Sequence, residues 1–248
     1  MSKLWIVHRK PPVRAALARA SRVERWTIHL LLTPALAVVV AFLILPVGWL
    51  FGLSFVKGDA FSLVHYERML EYGSYLQIFR TTFEISAIVT VICVLLGYPV
   101  AYLLAQLPGR WAMVCLALVI IPFWTSLLVR TYAWLVLLQQ RGVLNAILLG
   151  MGVIDEPISL MYSYTGTVLG MVHIMLPFLI LPVYGSMRQI DRDYLKAAAN
   201  LGASPTRAFW MVFFPLSLPG LLAGALIVFI LCLGFYVTPA VLGGGKVI

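Results

Sequence analysis

The chain alternates between long apolar runs that carry almost no charge and short polar segments. Each run is long enough for a helix of about 20 residues to cross roughly 30 Å of hydrocarbon. Each run is predicted to be helical, because an isolated strand would leave its backbone groups unpaired in lipid. The five predicted spans cover residues 30–52, 85–107, 111–138, 160–187 and 219–242.

Irregularities inside these runs predict bends in the helices. Arg130 interrupts the third span, so we expect that span to end or bend near this residue. A proline removes one helical hydrogen bond and kinks the helix, but neighbouring helices in a membrane bundle satisfy the freed carbonyl. Kinks are therefore predicted at the prolines inside the runs, which are Pro46, Pro99, Pro122, Pro177 and Pro182.

Composition points to the same class of protein. Of the 248 residues, 62% are hydrophobic and only 11% are charged, and the mean hydropathy is +0.99. Soluble domains carry about 25% charged residues, because their surfaces must meet water. The sequence therefore predicts an all-α membrane protein whose surface is solvated largely by the lipid bilayer.

The net charge of +9 reflects lysines and arginines that lie outside the apolar runs. A basic chain can bind nucleic acid, but this distribution is more typical of membrane topology. With the N-terminus in the cytoplasm, twelve of these residues fall on the cytoplasmic side and five on the other, with Arg130 unassigned. This excess follows the positive-inside rule and predicts a cytoplasmic N-terminus.

The two ends of the chain differ in character. Residues 1–29 are predicted to form a basic cytoplasmic tail, and residues 30–248 a transmembrane domain. The uncharged stretch 30–56 is longer than the 7–15 apolar residues of a cleavable signal peptide, so the first span is predicted to be retained. The sequence stops in a glycine-rich segment, and we expect a sixth, closing helix to be missing.

Nothing in the sequence predicts an enzyme. Residues 243–246 (GGGK) superficially suggest a phosphate-binding loop. Such a loop would also need a glycine at position 240 and a serine or threonine at position 247, and this chain has Ala240 and Val247 there. No paired carboxylates, nucleophile–base set or metal-ligand spacing occurs. The cysteines all lie in apolar runs without a disulfide or metal pattern; they are Cys93, Cys115 and Cys232. No catalytic residue, metal site or ATP site is therefore predicted.

The loop at residues 188–218 is the most informative segment. Asp191 or Asp193 is predicted to cap the start of a helix. Residues 194–201 contain three consecutive alanines and no helix breaker, so they are predicted to be helical. Gly202 is predicted to end this helix in a left-handed conformation. The result is a short helix with a small-residue face, suited to a groove in another protein.

A second short helix is predicted to follow within the same loop. Ser204 is placed as its cap and Pro205 as its first residue. Phe209 and Phe213 give it an apolar face, and Pro215 marks the return toward the membrane. The loop is therefore predicted to consist of two short helices joined by a sharp turn.

This loop resembles the signature of ABC-importer permeases, in which Glu-Ala-Ala is followed by three residues, Gly, nine residues, and Ile-x-Leu-Pro. Residues 196–198 (KAA) hold the first three positions, and Gly202 and Pro215 match at the required spacing. Lys196 replaces the Glu, and Phe214 replaces the Leu. By this resemblance the residues that contact the ATPase are Lys196, Ala197, Ala198, Gly202, Ala203 and Pro215.

Other segments resemble the spermidine/putrescine branch of these permeases. They are residues 122–134 (PFWTSLLVRTYAW), 170–178 (GMVHIMLPF) and 234–245 (GFYVTPAVLGGG). The resemblance implies a type I ABC-importer transmembrane bundle of the bacterial inner membrane that moves a polyamine such as spermidine or putrescine. It also implies two ABC ATPase subunits that bind ATP and Mg²⁺, a second homologous permease subunit and an extracytoplasmic substrate-binding protein.

Few polar residues in the spans are candidates for the transport pathway. A buried ionisable group in a membrane marks a functional site by default, but His173 can equally serve as a hydrogen-bond partner between helices. Aromatic residues at span ends are commonly interfacial anchors, and they can also attract a cation. The candidates are Trp124, Thr125, Arg130, Tyr132, His173, Tyr236 and Thr238.

Other functions remain open at this stage. An ion-coupled secondary transporter needs coupling charges or broken helices near the membrane midplane, and only His173 qualifies among the ionisable residues. An ABC permease for a different small solute would share the loop. The sequence does not define the exact substrate, the pairing of permease subunits or the resting conformation.

Overall fold

The computed structural model describes residues 30–58 and 60–245 and forms two compact units, Met1–Gly73 and Ser74–Ile248. The predicted tail at residues 1–29 lies outside the described residues. Among the described residues, four helices are long and apolar enough to cross a membrane, or five when a sharply bent pair is taken as one span. The predicted all-α membrane fold is confirmed.

The first unit contains one long helix and a small folded cap. Helix α1 (Leu30–Leu53) matches the predicted first span, and none of its side chains is buried. A small antiparallel hairpin follows, in which β1 (Val56–Lys57) and β2 (Ala60–Phe61) have two residues each, and then comes α2 (Val64–Glu71). Phe55 packs against the rings of Phe61 and Tyr66 at 5.9 and 5.2 Å, which holds the hairpin to α2.

The second unit is a helical bundle. Its elements are α3 (Gly73–Gln106), α4 (Gly109–Ile120), α5 (Leu127–Leu137), α6 (Val143–Gly150), α7 (Tyr164–Arg188), α8 (Arg192–Asn200), α9 (Pro205–Leu233) and α10 (Val237–Gly243). Helix α7 is its centre, with 67% of its most apolar window buried, against 28% in α3 and in α9. Within this unit, α3 and α9 therefore keep apolar faces that the other helices of the bundle do not cover.

Helix α9 approaches α7 closely through two glycines spaced four residues apart. A side chain on Gly220 would collide with Ser186 of α7. A Cβ on Gly224 would lie 3.2 Å from the Leu179 carbonyl oxygen and from the Pro182 ring. Small residues at this spacing let two membrane helices bring their backbones together and gain van der Waals contact. These glycines therefore fix the α7–α9 interface.

The third predicted span is sharply bent. Helix α4 continues through a 3₁₀ turn at Ile121–Trp124, and the axis then changes direction by 95° before α5 begins. The break falls at Thr125 and Ser126, whose ψ angles of 144° and 140° are extended. It therefore precedes Arg130 by four residues. The prediction of a bend is confirmed, but the bend follows Pro122 and the extended residues after it, not the charge.

The predicted fifth span, 219–242, and the separate second loop helix are both wrong. One long helix, α9, runs from Pro205 to Leu233, and the short helix α10 follows a break at residues 234–236. A π-helical turn at Phe209–Phe213 precedes Pro215, with the Phe214 N–H bonded to the Phe209 carbonyl five residues back. A wider turn leaves room for a proline ring that an α-helical ladder would clash with. The helix therefore continues through Pro215.

Candidate functional site

Helix α8 forms a short exposed segment between the two long helices α7 and α9. Asp191 caps it, and its carboxylate accepts a hydrogen bond of 2.9 Å from the Asp193 N–H. Lys196 forms a 2.7 Å ion pair with Asp193, and both side chains are about three-quarters exposed. Of the two predicted caps, the structure selects Asp191. No residue of α8 is fully buried, so its outer face is free for a partner.

The end of α8 is a tightly bonded left-handed turn. The Gly202 N–H donates to the Ala199 carbonyl at 2.9 Å, and the Ala203 N–H donates to the Ala198 carbonyl at 3.0 Å. This pair of bonds is a Schellman motif, which requires a left-handed residue after the helix. Gly202 supplies it, with φ of +83° and open space where a side chain would stand. The predicted conformation of Gly202 is confirmed.

Ser204 and Pro205 then start α9 as predicted. The Ser204 hydroxyl accepts a hydrogen bond of 3.4 Å from the Arg207 N–H, and Pro205 occupies the first turn, where it needs no donor. Ala199 and Ala203 face a cavity of about 360 Å³ that lies between α8, α3 and the π-helical turn. The inner side of α8 is therefore not densely packed against the bundle.

An aromatic cluster links the π-helical turn to α3. The Tyr102 ring meets Phe209 and Phe213 edge-on, each at 5.2 Å. One turn earlier on α3, Tyr98 packs against Phe214 at 5.7 Å and its hydroxyl bonds to Ser217 at 2.9 Å. The sequence interpretation missed the two tyrosines. The four-residue spacing of tyrosines on α3, which places both on one helix face, was the available signal.

The candidate pathway residues fall into separate groups. His173 accepts a hydrogen bond at Nδ1 from the Trp134 indole at 3.2 Å, and Arg130 precedes Trp134 by four residues on the same face of α5. The Arg130 guanidinium stacks over Phe123 at 5.9 Å, while its Nε is buried and has no hydrogen-bond partner among the described residues. The structure therefore unites His173 and Arg130 in one place, which we call the His173 cluster, together with Trp134.

The other candidates do not join this cluster. Thr238 is fully buried and shares a 3.3 Å hydrogen bond with Thr131, so it connects α10 to α5. Tyr236 is exposed and lines a separate cavity of about 180 Å³ at the break between α9 and α10. Three further candidates are also exposed: Trp124, Thr125 and Tyr132. The pathway roles of all these residues stay predictions.

Comparison with known proteins identifies the family of the chain. The family described as binding-protein-dependent transport system inner membrane component matches residues 94–248, which include the whole α8 loop. The spermidine/putrescine transport system permease protein PotB of Escherichia coli is 37% identical over 215 residues, covering 84% of this chain and 78% of that protein. The PotB protein of Haemophilus influenzae is 32% identical over 216 residues.

More distant similarity extends to other transport systems. The molybdenum transport system permease protein ModB of Mycobacterium bovis is 32% identical over 157 residues, which cover 63% of this chain and 58% of that protein. The crystal structure of a bacterial ABC transporter involved in the import of alginate superposes with a TM-score of 0.67 at 15% identity, covering 88% of this chain and 77% of that chain. This structural likeness concerns the fold alone.

The family assignment settles the class of function. Membrane subunits of such systems are permeases and not enzymes, so the alternatives of an ion-coupled transporter and of a membrane enzyme are set aside. The apolar helices make the chain a multi-pass protein of the inner membrane. Because the family model matches residues 94–248 and PotB of Escherichia coli is 37% identical over 84% of this chain, the chain belongs to the family of inner membrane permease components of binding-protein-dependent transport systems.

Proposed function

We propose that the chain is one membrane subunit of an ATP-driven polyamine importer. We also propose that α8 is the segment to which an ATPase subunit of the importer binds. The observation that carries the proposal is the exposed α8, which two membrane helices hold at both ends and which the Gly202 turn closes. The identity to the PotB proteins supports spermidine or putrescine as the substrate.

The proposed orientation follows from charge. With the bent α4–α5 pair counted as one span, a cytoplasmic N-terminus puts α8 in the cytoplasm, together with Arg188, Arg192 and Lys196. Two ATPase subunits would then bind ATP and Mg²⁺, and their closure would displace α8. The sequence of this chain carries no phosphate-binding loop of its own.

We infer that the aromatic cluster carries this displacement into the bundle. Helix α8 contacts the π-helical turn, and the turn holds Phe209 and Phe213 against Tyr102 of α3. A movement of α8 therefore reaches α3 and α9 together, because both helices contribute rings to one packed group. Rocking of these helices would open the pathway alternately to each side of the membrane.

The assembly we propose includes a second homologous permease and an extracytoplasmic binding protein. The apolar surface that α3 and α9 leave exposed supports a partner permease. The described spans bury no carboxylate that could hold a polyamine, since Glu84 is exposed on α3 and Arg130 of the His173 cluster is a cation. Substrate selection is therefore assigned mainly to the binding protein.

Crosslinking tests the central contact. In a variant without its native cysteines, Ala197→Cys is expected to crosslink to the ATPase, because this position is on the exposed part of α8. Val153→Cys, which is 62% exposed on the loop after α6, is the matched control and is expected not to crosslink. A crosslink at residue 153 but not at residue 197 contradicts the proposed orientation.

A permease for an anionic solute is the second candidate, and Arg130 favours it. A half-buried guanidinium whose Nε has no partner in the described part of the chain repels a polyamine and attracts an anion. Uptake of labelled spermidine and of molybdate into proteoliposomes containing the whole complex separates the two candidates. Spermidine uptake alone supports the polyamine, whereas molybdate uptake that Arg130→Gln abolishes supports the anion.

A further inference from the structure

A second cavity lies where the bundle meets the α8 loop, and it combines cations with apolar walls. Its volume is about 320 Å³. It lies at the end of α3 and the end of α7 and is bounded by the start of α8. Three cations line it, Arg188, Arg192 and Lys196, and the apolar part of its wall includes Leu195 and Phe213. We call it the basic cavity.

The charge of the basic cavity is not balanced within this part of the chain. Lys196 is paired with Asp193 at 2.7 Å. The Asp191 carboxylate accepts a bond from the Asp193 backbone. Arg188 and Arg192 form no ion pair with any residue that the structure describes at 30–58 and 60–245. Two guanidinium groups therefore remain available, and guanidinium binds phosphate oxygens through paired N–H groups.

The walls of the cavity distinguish one kind of phosphate from another. An inorganic phosphate or a nucleotide phosphate needs donors but gains nothing from Leu195 and Phe213. A phospholipid gains from both parts, since its phosphate meets the arginines while its first acyl carbons lie on the apolar wall. The cavity also sits at the ends of membrane-crossing helices, which is the depth of lipid headgroups. Basic pockets between membrane helices are known to bind anionic headgroups.

We propose that the basic cavity binds the headgroup of one anionic phospholipid, of the phosphatidylglycerol type. The lipid phosphate would bridge Arg188, the last residue of α7, and Arg192, the first residue of α8. Such a bridge spans the hinge between the membrane helix and the exposed helix, so it fixes the angle at which α8 leaves the bundle. Binding itself does not depend on the transported substrate; only this effect on α8 rests on the proposed function.

Native mass spectrometry of the whole transport complex in detergent tests the site. The complex is mixed with phosphatidylglycerol or with zwitterionic phosphatidylcholine, and the lipids retained per complex are counted. The wild type is expected to retain phosphatidylglycerol over phosphatidylcholine. The double variant Arg188→Gln, Arg192→Gln is expected to retain at most about one tenth as much phosphatidylglycerol per complex, because each basic residue adds to headgroup binding. Arg110→Gln, at an exposed arginine of α4 outside the cavity, is the matched control and is expected to behave as wild type.

Three results would overturn the proposal. Equal retention of phosphatidylglycerol by the wild type and the double variant shows that the arginines do not hold the lipid. Displacement of the lipid by millimolar inorganic phosphate indicates a site for a free anion. Unchanged lipid retention with loss of the ATPase from the complex assigns the arginines to an acidic surface of the ATPase. Spermidine uptake, measured separately, reports on the proposed function and not on this site.

Discussion

The turn at the end of α8 and the His173 cluster are held by different kinds of contacts. The turn closes on itself, because its bonds join residues at most five positions apart, such as Ala198 and Ala203. The His173 cluster joins α5 to α7 through the bond from Trp134 to His173, which are 39 positions apart. We therefore expect the turn to move as a rigid body during transport and the His173 cluster to rearrange with the helices.

The largest effect is expected at the turn, from Gly202→Val. A β-branched residue at φ of +83° is strained, at a cost of about 1–2 kcal/mol or more, and relieving the strain would redirect the chain between α8 and α9. Substrate uptake per ATP hydrolysed is expected to fall about tenfold or more, as measured in proteoliposomes. Gly202→Asn is the control and should retain most coupling, because asparagine tolerates the left-handed region. Equal coupling in the two variants would show that the turn is not the rigid element.

A smaller effect is expected from Tyr102→Leu, which removes the contact between the turn region and α3. The change removes two edge-to-face ring contacts, each worth about 0.5–1.5 kcal/mol. Uptake is expected to fall several-fold while ATP hydrolysis continues, because α8 then moves without moving α3. Tyr102→Phe preserves the rings and is expected to remain near wild type. Normal uptake in the leucine variant would remove the aromatic cluster from the path of coupling.

In the His173 cluster, Trp134→Phe tests whether the contact between α5 and α7 contributes to substrate uptake. It removes the 3.2 Å bond to His173, worth about 1 kcal/mol. A change of about twofold to fivefold in the KM for uptake is expected, with ATPase assembly unaffected. Trp111→Phe, at an indole that is 65% exposed, is the control. An unchanged KM would give the His173 cluster a purely structural role.

The smallest effect is expected from Lys196→Glu. Its exposed ion pair with Asp193 contributes less than about 0.5 kcal/mol to stability, so the folded chain should tolerate the change. The substitution also restores the acid typical of the family signature, so assembly with the ATPase is expected to be equal or tighter. A pull-down of the ATPase by the variant measures this. Loss of assembly would show that this partner groove requires the lysine.

The accuracy of the sequence predictions follows the same division between local and distant contacts. A cap at Asp191 or Asp193, the turn at Gly202 and the start at Ser204 were predictable, because each depends on a few neighbouring residues. The first and fourth spans were also placed within a few residues of α1 and α7. Each of these rests on an uninterrupted run or a strong local signal.

Features that depend on packing between helices were not predictable in the same way. The π-helical turn lets α9 continue through Pro215, a result that no local rule for proline indicates. The 95° bend falls at Thr125 and Ser126, where no breaker residue stands, although Pro122 lies just before. The association of Tyr98 and Tyr102 with α9 joins residues more than 100 positions apart, and only the bundle brings them together.

The π-helical turn makes the number of residues in this segment as important as their identity. Each residue of an α-helix advances the chain by about 100° around the axis, and the turn at Phe209–Phe213 holds one residue more than an α-helical turn would. If the same residues wound as an ordinary α-helix, the extra residue would rotate everything before it, including Ser204 and α8, through that angle, and the wide turn absorbs this residue instead. In that case the outer surface of α8 would face another direction even though every side chain on it was intact. Length in this segment is thus a determinant of direction.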